Sequence, residues 1–388
     1  MSILQKINLF QSLYERNPLP KNLADASVMG SSLKAGEYGE LEATQDGKGV
    51  LSLRLVPDYF KPSNDLKDHV VKVVPQYNWG YSIDLRGCSS IDDYLESQYK
   101  SKTRSIIRRY VRRLEACFPI NYALYHGELE YETYEKVFHA LHSMIRARFG
   151  QKKETHKELW RWEGLQKVTF HQILKKQASL FVIYDDEKPI EISLNYHAGP
   201  VLFSSISSYD MDYAKFGLGH VEIYKQLEWC ISNGYTLFEM GVGGMDYKRK
   251  WSNHIYRFNH WILIPKKSFG PQLIGQVEHA KITLKEYLKS KKINELRDKM
   301  MQQLSSKKED SFPENNFVVE TMNKTPEATL IIWDDTEPYP MGLNRAVNDV
   351  LYQQETSRKH LSVYKTDPKS GRYYVKVNSK WFLLRNIP

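Results

Sequence analysis

Short apolar runs separated by turn residues dominate the middle of the chain. Residues 179–184, 190–197 and 201–208 are rich in β-branched and aromatic residues, and proline- or glycine-bearing turns lie between them. Runs of this length joined by short polar turns are typical of β-hairpins. We therefore predict an antiparallel meander of three strands.

A glycine-bearing loop, a helix and a further strand follow the meander. Gly217 and Gly219 lie just before a segment that ends at Gly234, and a glycine that follows a periodic segment is a helix-stop signal. Residues 235–240 are short, apolar and aromatic, as in a central strand. Because the first backbone N–H groups of a helix favour an anion, the loop is a candidate anion site. The helix itself is predicted from apolar residues at helical spacing between Gly219 and Gly234, which are Val221, Tyr224, Leu227 and Ile231.

A second helix, predicted over residues 91–114, carries dense positive charge. The four-residue spacing of Arg104, Arg108 and Arg112 places them along one side, while apolar residues fill the remaining arc. One interpretation is a solvated charged face. The other is an anion-binding surface, since like charges this close together repel one another.

Two stretches supply candidate proton-transfer groups. In the middle strand of the meander, Glu191 and its polar neighbours alternate with apolar residues, so this carboxylate is a candidate base if its face lines a cleft. Residues 238–251 combine Glu239, several glycines, Tyr247 and a basic tail. Glycines let another molecule approach the backbone closely. The alternative interpretation is a turn followed by a solvated segment.

Composition narrows the class of protein. With 388 residues, of which 41% are hydrophobic and 13% aromatic, the chain is globular and long enough for two or three domains. The net charge of +9 favours an anionic partner such as a nucleotide, phosphate, nucleic acid or membrane surface. Cys88, Cys117 and Cys230 are scattered, which indicates free thiols in a reducing compartment and no metal site. Because no apolar stretch is long enough to span a membrane, we expect a cytoplasmic protein.

The order of meander, glycine loop, helix and strand resembles the GNAT fold, in which the pyrophosphate of acyl-CoA lies at the glycine loop that begins the helix. More narrowly, residues 98–265 resemble the FemAB-related branch of GNAT-type acyltransferases, which includes CelD-like cellulose-biosynthesis proteins. The basic helix, the glycine loop at 216–219 and the segment 238–251 carry the resemblance. The sequence departs from the family pattern at Val242 and Gly244, where the family often has Arg and Asp.

This resemblance implies an α+β fold, with a GNAT-like mixed sheet flanked by helices and two GNAT-like units in tandem. Together with the chain's own patterns it predicts five segments. They are 1–97, a degenerate first unit; 98–267, the acyltransferase domain; 268–305, a helical extension; 306–316, a linker; and 317–388, a small C-terminal α+β module.

The resemblance also implies a site without metal, with acyl-CoA, acetyl-CoA first, as the co-substrate. Glu191 and Glu239 are rival bases, and Tyr247 is the acid that protonates the departing thiolate. The residues implied for the co-substrate are Phe216, Gly217, Leu218, Gly219 and His220, and those implied for the acceptor are Arg104, Arg108, Gly241, Lys248 and Trp251.

Three functions remain open at this point. The first is transfer of an acyl group from acyl-CoA to an amine or hydroxyl of a small molecule, a peptide or a polysaccharide precursor. The second is FemAB-like transfer from aminoacyl-tRNA, in which the basic helix would contact phosphates and affinity would fall steeply with salt. The third is a catalytically silent protein that binds an anion or nucleic acid, which the departures at Val242 and Gly244 favour.

Overall fold

The computed structural model describes residues 3–15, 19–20, 23, 25–33, 40–41, 49–62, 64–151, 161–291, 316–334, 337–366 and 371–387. The strands are β1 (Leu4–Asn8), β2 (Leu19–Pro20), β3 (Ser27–Val28), β4 (Ser31–Ser32), β5 (Glu40–Leu41), β6 (Val50–Val56), β7 (Phe60–Lys61), β8 (His69–Asp84), β9 (Ile120–Tyr125), β10 (Ala178–Asp185), β11 (Lys188–Ala198), β12 (Val201–Tyr209), β13 (Leu237–Val242), β14 (His254–Pro265), β15 (Asn316–Met322), β16 (Ile331–Ile332), β17 (Leu361–Lys365), β18 (Arg372–Val377) and β19 (Lys380–Ile387). The helices are α1 (Leu9–Glu15), α2 (Ile91–Gln98), α3 (Ser101–Cys117), α4 (Tyr131–Gln151), α5 (Trp162–Leu174), α6 (Leu218–Ser232), α7 (Asp246–Trp251), α8 (Phe269–Ser290) and α9 (Leu343–Gln354).

A nine-stranded mixed sheet forms the centre of the molecule, in the order β1-β6-β14-β8-β13-β12-β11-β10-β9. The predicted meander is β10-β11-β12, antiparallel throughout. The next strand, β13, returns through α6 and pairs with β12 in parallel. The predicted α+β class, with a mixed sheet flanked by helices and a small C-terminal α+β module, is confirmed.

Strands from the first 97 residues belong to this same sheet. β14 lies between β6 and β8 and is antiparallel to both, and β8 also pairs with β13. One hydrogen-bonded ladder therefore crosses the predicted boundary at residue 97. The division of the chain into five segments, including the tandem arrangement, stays a prediction.

Helices cover both faces of the sheet. α1, α4 and α5 pack on one face, where Leu13, Phe138 and Ile173 share a core cluster with β10 and β11. α3 and α6 pack on the other face, where Leu114 and Val221 share a cluster with β10. α8 packs against β6, β8 and β14. The faces of the meander are therefore both buried.

The helix predicted over 91–114 is divided in two. Tyr99 and Lys100 adopt extended backbone conformations between α2 and α3, and the Arg104 guanidinium donates to the Tyr99 carbonyl at 3.0 Å. This hydrogen bond satisfies a carbonyl that a continuous helix would have used. Between α4 and α5, residues 152–160 lie outside the described residues.

The C-terminal module is a five-stranded sheet, β15-β19-β18-β17-β16, with α9 on it. α9 also packs against the 3₁₀ segment Met211–Phe216 that precedes α6. Asn344 donates to the Asp212 carboxylate at 2.8 Å, and Leu351 joins the core cluster of α3 and α6. Of the predicted linker, only Asn316 lies within the described residues, and 292–305 of the helical extension lie outside them.

Candidate active site

The parallel strands β12 and β13 separate soon after they begin. They pair only at Val201–Leu237, Leu202–Phe238 and Phe203–Glu239. Two residues further along β12, Ser205 is the extra residue of a bulge, because Asn195 pairs with Ser204 while Leu194 pairs with Ile206. We call the space beyond the last pair the β12–β13 gap. A gap between parallel strands in the middle of a sheet can hold a ligand between their backbones.

Glu191 lies on the α6 side of the sheet and is fully buried. Its polar neighbours Ser193 and Asn195 are fully buried too, because α6 covers this face of β11. Neither carboxylate oxygen of Glu191 has a hydrogen-bond partner of good geometry among the described residues. Burial and the neighbouring Glu222 carboxyl raise the pKa of Glu191 well above its ordinary value.

Glu222, on the second turn of α6, is the ionisable partner of Glu191. Burial raises its pKa to about 7, while the Ser193, Ser207 and Gln226 side chains, which hydrogen-bond the carboxylate, act in the opposite direction. The Gln226 amide donates to Glu222 Oε1 at 2.9 Å. A carboxyl group with a pKa near the working pH suits a general base. The helical periodicity of α6 singles out its apolar residues and gives no signal for Glu222.

Tyr247 and Arg148 reach the same cluster from other elements. Burial and the Glu222 carboxylate raise the pKa of Tyr247 to about 12, and Arg148 opposes this shift. Tyr247 keeps 39% of its surface exposed, and Arg148 lies over the Tyr209 ring at the end of β12. The cluster therefore connects to solvent, and the phenol is protonated at neutral pH.

Glu239 is held in a different environment, on the opposite face of the sheet. The Gly241 N–H donates to Oε1 at 2.6 Å, and the Tyr256 hydroxyl donates to Oε2 at 2.8 Å. Burial raises its pKa to about 7, and the hydrogen bonds from Gly241, Tyr256 and Tyr59 oppose the shift. Since both oxygens are engaged, Glu239 anchors the turn at Gly241, where φ is +72°.

The glycine loop begins α6 as predicted. Gly217 is the N-cap residue with φ +66°, and Tyr110 of α3 packs directly on it. Tyr110 also stacks on His220, whose Nδ1 accepts a hydrogen bond from the Trp251 indole at 2.9 Å. Burial lowers the pKa of His220, so its ring is neutral at pH 7.

Three of the side chains predicted to contact ligands are buried in the core. Phe216 and Leu218 belong to the cluster between α3 and α6, so within the glycine loop only the backbone can contact a co-substrate. Trp251 is fully buried. It therefore supports His220 and does not line a cavity.

Gly241 and Lys248 line a cavity of about 440 Å³ on the α1 side of the gap. Its walls include Phe203, Ser205 and Tyr14, and the charged groups that line it are Arg54, Arg161, Lys248 and Glu15. We call it the basic cavity. Arg161 forms two hydrogen bonds of 2.7 Å with the Glu15 carboxylate, so positive charge remains in excess.

Arg104 and Arg108 lie apart from the basic cavity, on α3. Arg108 pairs with Asp92 at 2.6 Å. It also lines a groove of about 630 Å³ with Lys102, Arg109 and Arg112. The structure thus brings Gly241 and Lys248 together, and Glu191 with Tyr247 through Glu222, while the two arginines belong to a separate surface.

Residues 101–249 match the family model described as an acetyltransferase (GNAT) domain. A search of the curated proteins found no match. Solved structures with remote similarity include a conserved protein of unknown function from Bacteroides thetaiotaomicron VPI-5482, at 10% identity over 56% of this chain and 70% of that chain with TM-score 0.38. They also include FemX, at 10% identity over 55% and 71% with TM-score 0.38, and L-PGS from Bacillus licheniformis, at 13% identity over 58% and 72% with TM-score 0.36.

Within the described residues, no group of three or more His, Cys, Asp or Glu side chains is placed to hold a metal ion. No helix in this part of the chain is both long and apolar enough to cross a membrane.

Proposed function

We propose that the protein transfers an acyl group from acyl-CoA to an amine or hydroxyl acceptor at the β12–β13 gap. The observation that carries this proposal is the β12–β13 gap together with Glu222, a buried carboxyl group with a pKa of about 7 on the glycine-headed helix α6, which packs against β11 and β12. The match of residues 101–249 to a GNAT acetyltransferase domain supports it.

The donor binds on the α6 side of the gap. The backbone N–H groups of Leu218 and Gly219 lie in the first turn of α6, where no intrahelical acceptor exists. Together with the positive end of the helix dipole they would hold the pyrophosphate. Arg109 and Arg112 of the neighbouring α3 are placed to attract further phosphate charge.

Glu222 is the proposed general base. The acceptor nitrogen or oxygen attacks the thioester carbonyl and transfers its proton to Glu222, while the carbonyl oxygen becomes negative. The bulge at Ser205 takes a backbone N–H out of the regular ladder with β11, where it can stabilise that oxygen. The carbon–sulfur bond then breaks, and Tyr247 protonates the leaving thiolate, giving the acylated acceptor and CoA.

The basic cavity is the proposed acceptor site. It opens on the opposite side of the gap from α6, so acceptor and donor meet at the gap from opposite faces. Because three cationic side chains and one carboxylate of the described residues line it, we propose an acceptor that carries an anionic group. Small molecules, peptide carboxylates and polysaccharide precursors of this charge all fit the chemistry.

The first test is turnover with a panel of acyl-CoAs and anionic amine or hydroxyl acceptors, measured as release of the CoA thiol. We expect Glu222→Gln and Tyr247→Phe to lower kcat/KM by about 10²- to 10⁴-fold. Glu191→Gln is the matched control, because it makes the same change at the neighbouring buried carboxyl group and leaves Glu222 in place. If Glu222→Gln retains full activity with a donor that the parent protein uses, the assignment of the base is wrong.

Binding of the donor provides a separate readout. A donor at a hundredfold excess over its Kd should stabilise the protein by about 2.7 kcal/mol, which a thermal shift detects. Stabilisation by acyl-CoA without turnover of any acceptor would favour the catalytically silent alternative.

The basic groove on α3 favours a second candidate, transfer from aminoacyl-tRNA. Lys102, Arg109 and Arg112 line it without a carboxylate among the lining residues. The tRNA donor predicts that log Kd depends linearly on log salt, with a slope close to one per phosphate contacted. Arg109→Gln with Arg112→Gln should reduce this slope by about two. An unchanged slope would exclude the groove as a tRNA site.

A further inference from the structure

The outer face of α8 is apolar and exposed. Along this 22-residue helix the exposed fractions are 84% for Phe269, 61% for Leu273, 62% for Val277, 58% for Leu284 and 57% for Tyr287. Apolar surface that is contiguous on one face of a helix marks an interaction site. We call these five residues the α8 apolar face.

The fold itself uses the opposite side of α8. Gly275, Glu278, Ile282 and Glu286 are the buried residues, and they pack toward β6, β8 and β14. At 3.6 residues per turn, the α8 apolar face lies about half a turn away from this buried side. Packing on the sheet therefore does not account for the exposed apolar residues.

Among the described residues of α8 and its flanks, the exposed charged side chains are all positive. Lys266, Lys267, Lys281, Lys285 and Lys291 are exposed. The acids of the helix, Glu278 and Glu286, point inward and are only 4% and 5% exposed. Glu278 accepts from Ser52 at 3.1 Å, and Glu286 accepts from the Tyr77 N–H at 2.6 Å. The surface that α8 offers therefore combines apolar side chains with uncompensated lysines.

We propose that α8 docks on an anionic lipid surface, with the helix axis in the plane of the interface. A basic amphipathic helix binds such a surface through its apolar face and through attraction of its lysines to the headgroups. A second copy of the chain is a poorer occupant, because pairing two such faces would bring two sets of lysines together without acids between them. The inference does not depend on the proposed acyl transfer.

The experiment is cosedimentation of the full chain with vesicles of phosphatidylglycerol and phosphatidylcholine, compared with phosphatidylcholine alone. We expect binding to the anionic vesicles that weakens as salt is raised. Lys281→Gln and Lys285→Gln should each lower the partition coefficient about fivefold. The triple variant Leu273→Ser, Val277→Ser, Leu284→Ser should lower it by at least about tenfold. All these side chains are exposed, so the variants retain the fold.

The matched control is Ile331→Ser with Ile332→Ser, which removes two equally exposed aliphatic side chains from the C-terminal module. It should bind vesicles like the parent. Equal binding to neutral and anionic vesicles, or equal loss in the control, would overturn the proposal. The proposal would also be overturned if light scattering showed the parent protein to be a dimer and the triple variant to be a monomer. An environment-sensitive dye can be attached to Leu284→Cys in a protein that also carries Cys88→Ser. Its fluorescence should report a polar environment until vesicles are added. A signal typical of an apolar environment without vesicles would contradict the proposal and would indicate that residues 292–315 of the chain cover the α8 apolar face.

Discussion

At the residue scale, the pair Glu191 and Glu222 shows how burial sets chemistry. Both carboxyl groups are buried between α6 and the sheet, and Glu222 has hydrogen-bonding neighbours that Glu191 lacks among the described residues. Two adjacent buried carboxylates repel each other when both are ionised. The one with hydrogen-bond donors around it therefore ionises first. The division of roles between a base and a neutral neighbour follows from that difference.

Glu222 also makes stability depend on pH. Its carboxyl has an ordinary pKa of 4.5 and a folded pKa of about 7, so the folded protein holds an extra proton between these values. The free energy of unfolding therefore falls as pH rises through this window, by about 3 kcal/mol in all. We expect Glu222→Gln to be more stable than the parent at pH 8 and similar to it at pH 4, measured by urea denaturation. Glu187→Gln, an exposed carboxylate on the β10–β11 turn, should show the parent's pH dependence.

Gly217 is a second residue whose identity the structure explains. A Cβ there would lie 2.8 Å from the Tyr110 ring at a φ of +66°, so Gly217→Ala should destabilise the protein by about 1–3 kcal/mol. Gly219→Ala is the control, because nothing lies within 4 Å of the Cβ that it adds. Thermal denaturation of the two variants measures the difference in stability. Equal melting temperatures would mean that Tyr110 does not pack on the loop.

At the scale of elements, α9 connects the C-terminal module to the start of α6. Neighbouring residues of α9 face different cores: Val350 belongs to the core of the module, and Leu351 to the cluster beneath Phe216 and Leu218. The position of the glycine loop therefore depends on an element more than a hundred residues further along the chain.

Two substitutions in α9 separate these cores. Leu351→Ala should lower the free energy of unfolding by about 2–5 kcal/mol. Val350→Ala removes fewer carbon atoms and should lower it by less. Only Leu351→Ala should also weaken donor binding, because it leaves a cavity beneath the loop proposed to hold the pyrophosphate. Titration of the two folded variants with the donor measures the affinity. Equal affinities would mean that α9 does not influence the donor site.

Across the whole molecule, the nine-stranded sheet joins strands from distant parts of the chain in one hydrogen-bonded ladder. β14 pairs on one side with β6 and on the other with β8, so strands from both sides of residue 97 alternate in space. Separate unfolding of either part would leave strand edges and apolar surface unpaired.

This topology predicts coupled unfolding. Leu53→Ala removes a fully buried side chain from β6, and we expect hydrogen exchange to accelerate in β6 and in the distant β12 together. Val377→Ala, buried in β18, should accelerate exchange mainly in the C-terminal module. Acceleration limited to the first 97 residues would instead support an independent first unit.

The elements whose signal is local can be predicted from the amino-acid sequence. The meander β10–β12, the glycine loop, α6 and the short strand β13 all follow from side-chain periodicity and turn residues. Periodicity also located Glu191 on a polar strand face, but it did not show that α6 buries this face. The break between α2 and α3 escaped it as well, because a single side-chain hydrogen bond to Tyr99 caps the end of α2.

Which side chains come together in the candidate site depends on tertiary packing. Glu222 approaches Glu191 because α6 crosses over β11, and the basic cavity exists because α1 and residues 240–248 come together at the β12–β13 gap. The pKa of a carboxyl group and the shape of a cavity depend on desolvation by neighbours that are remote in sequence. Local pattern carries no information about those neighbours, so it could indicate the candidate residues but not the arrangement that gives them a role.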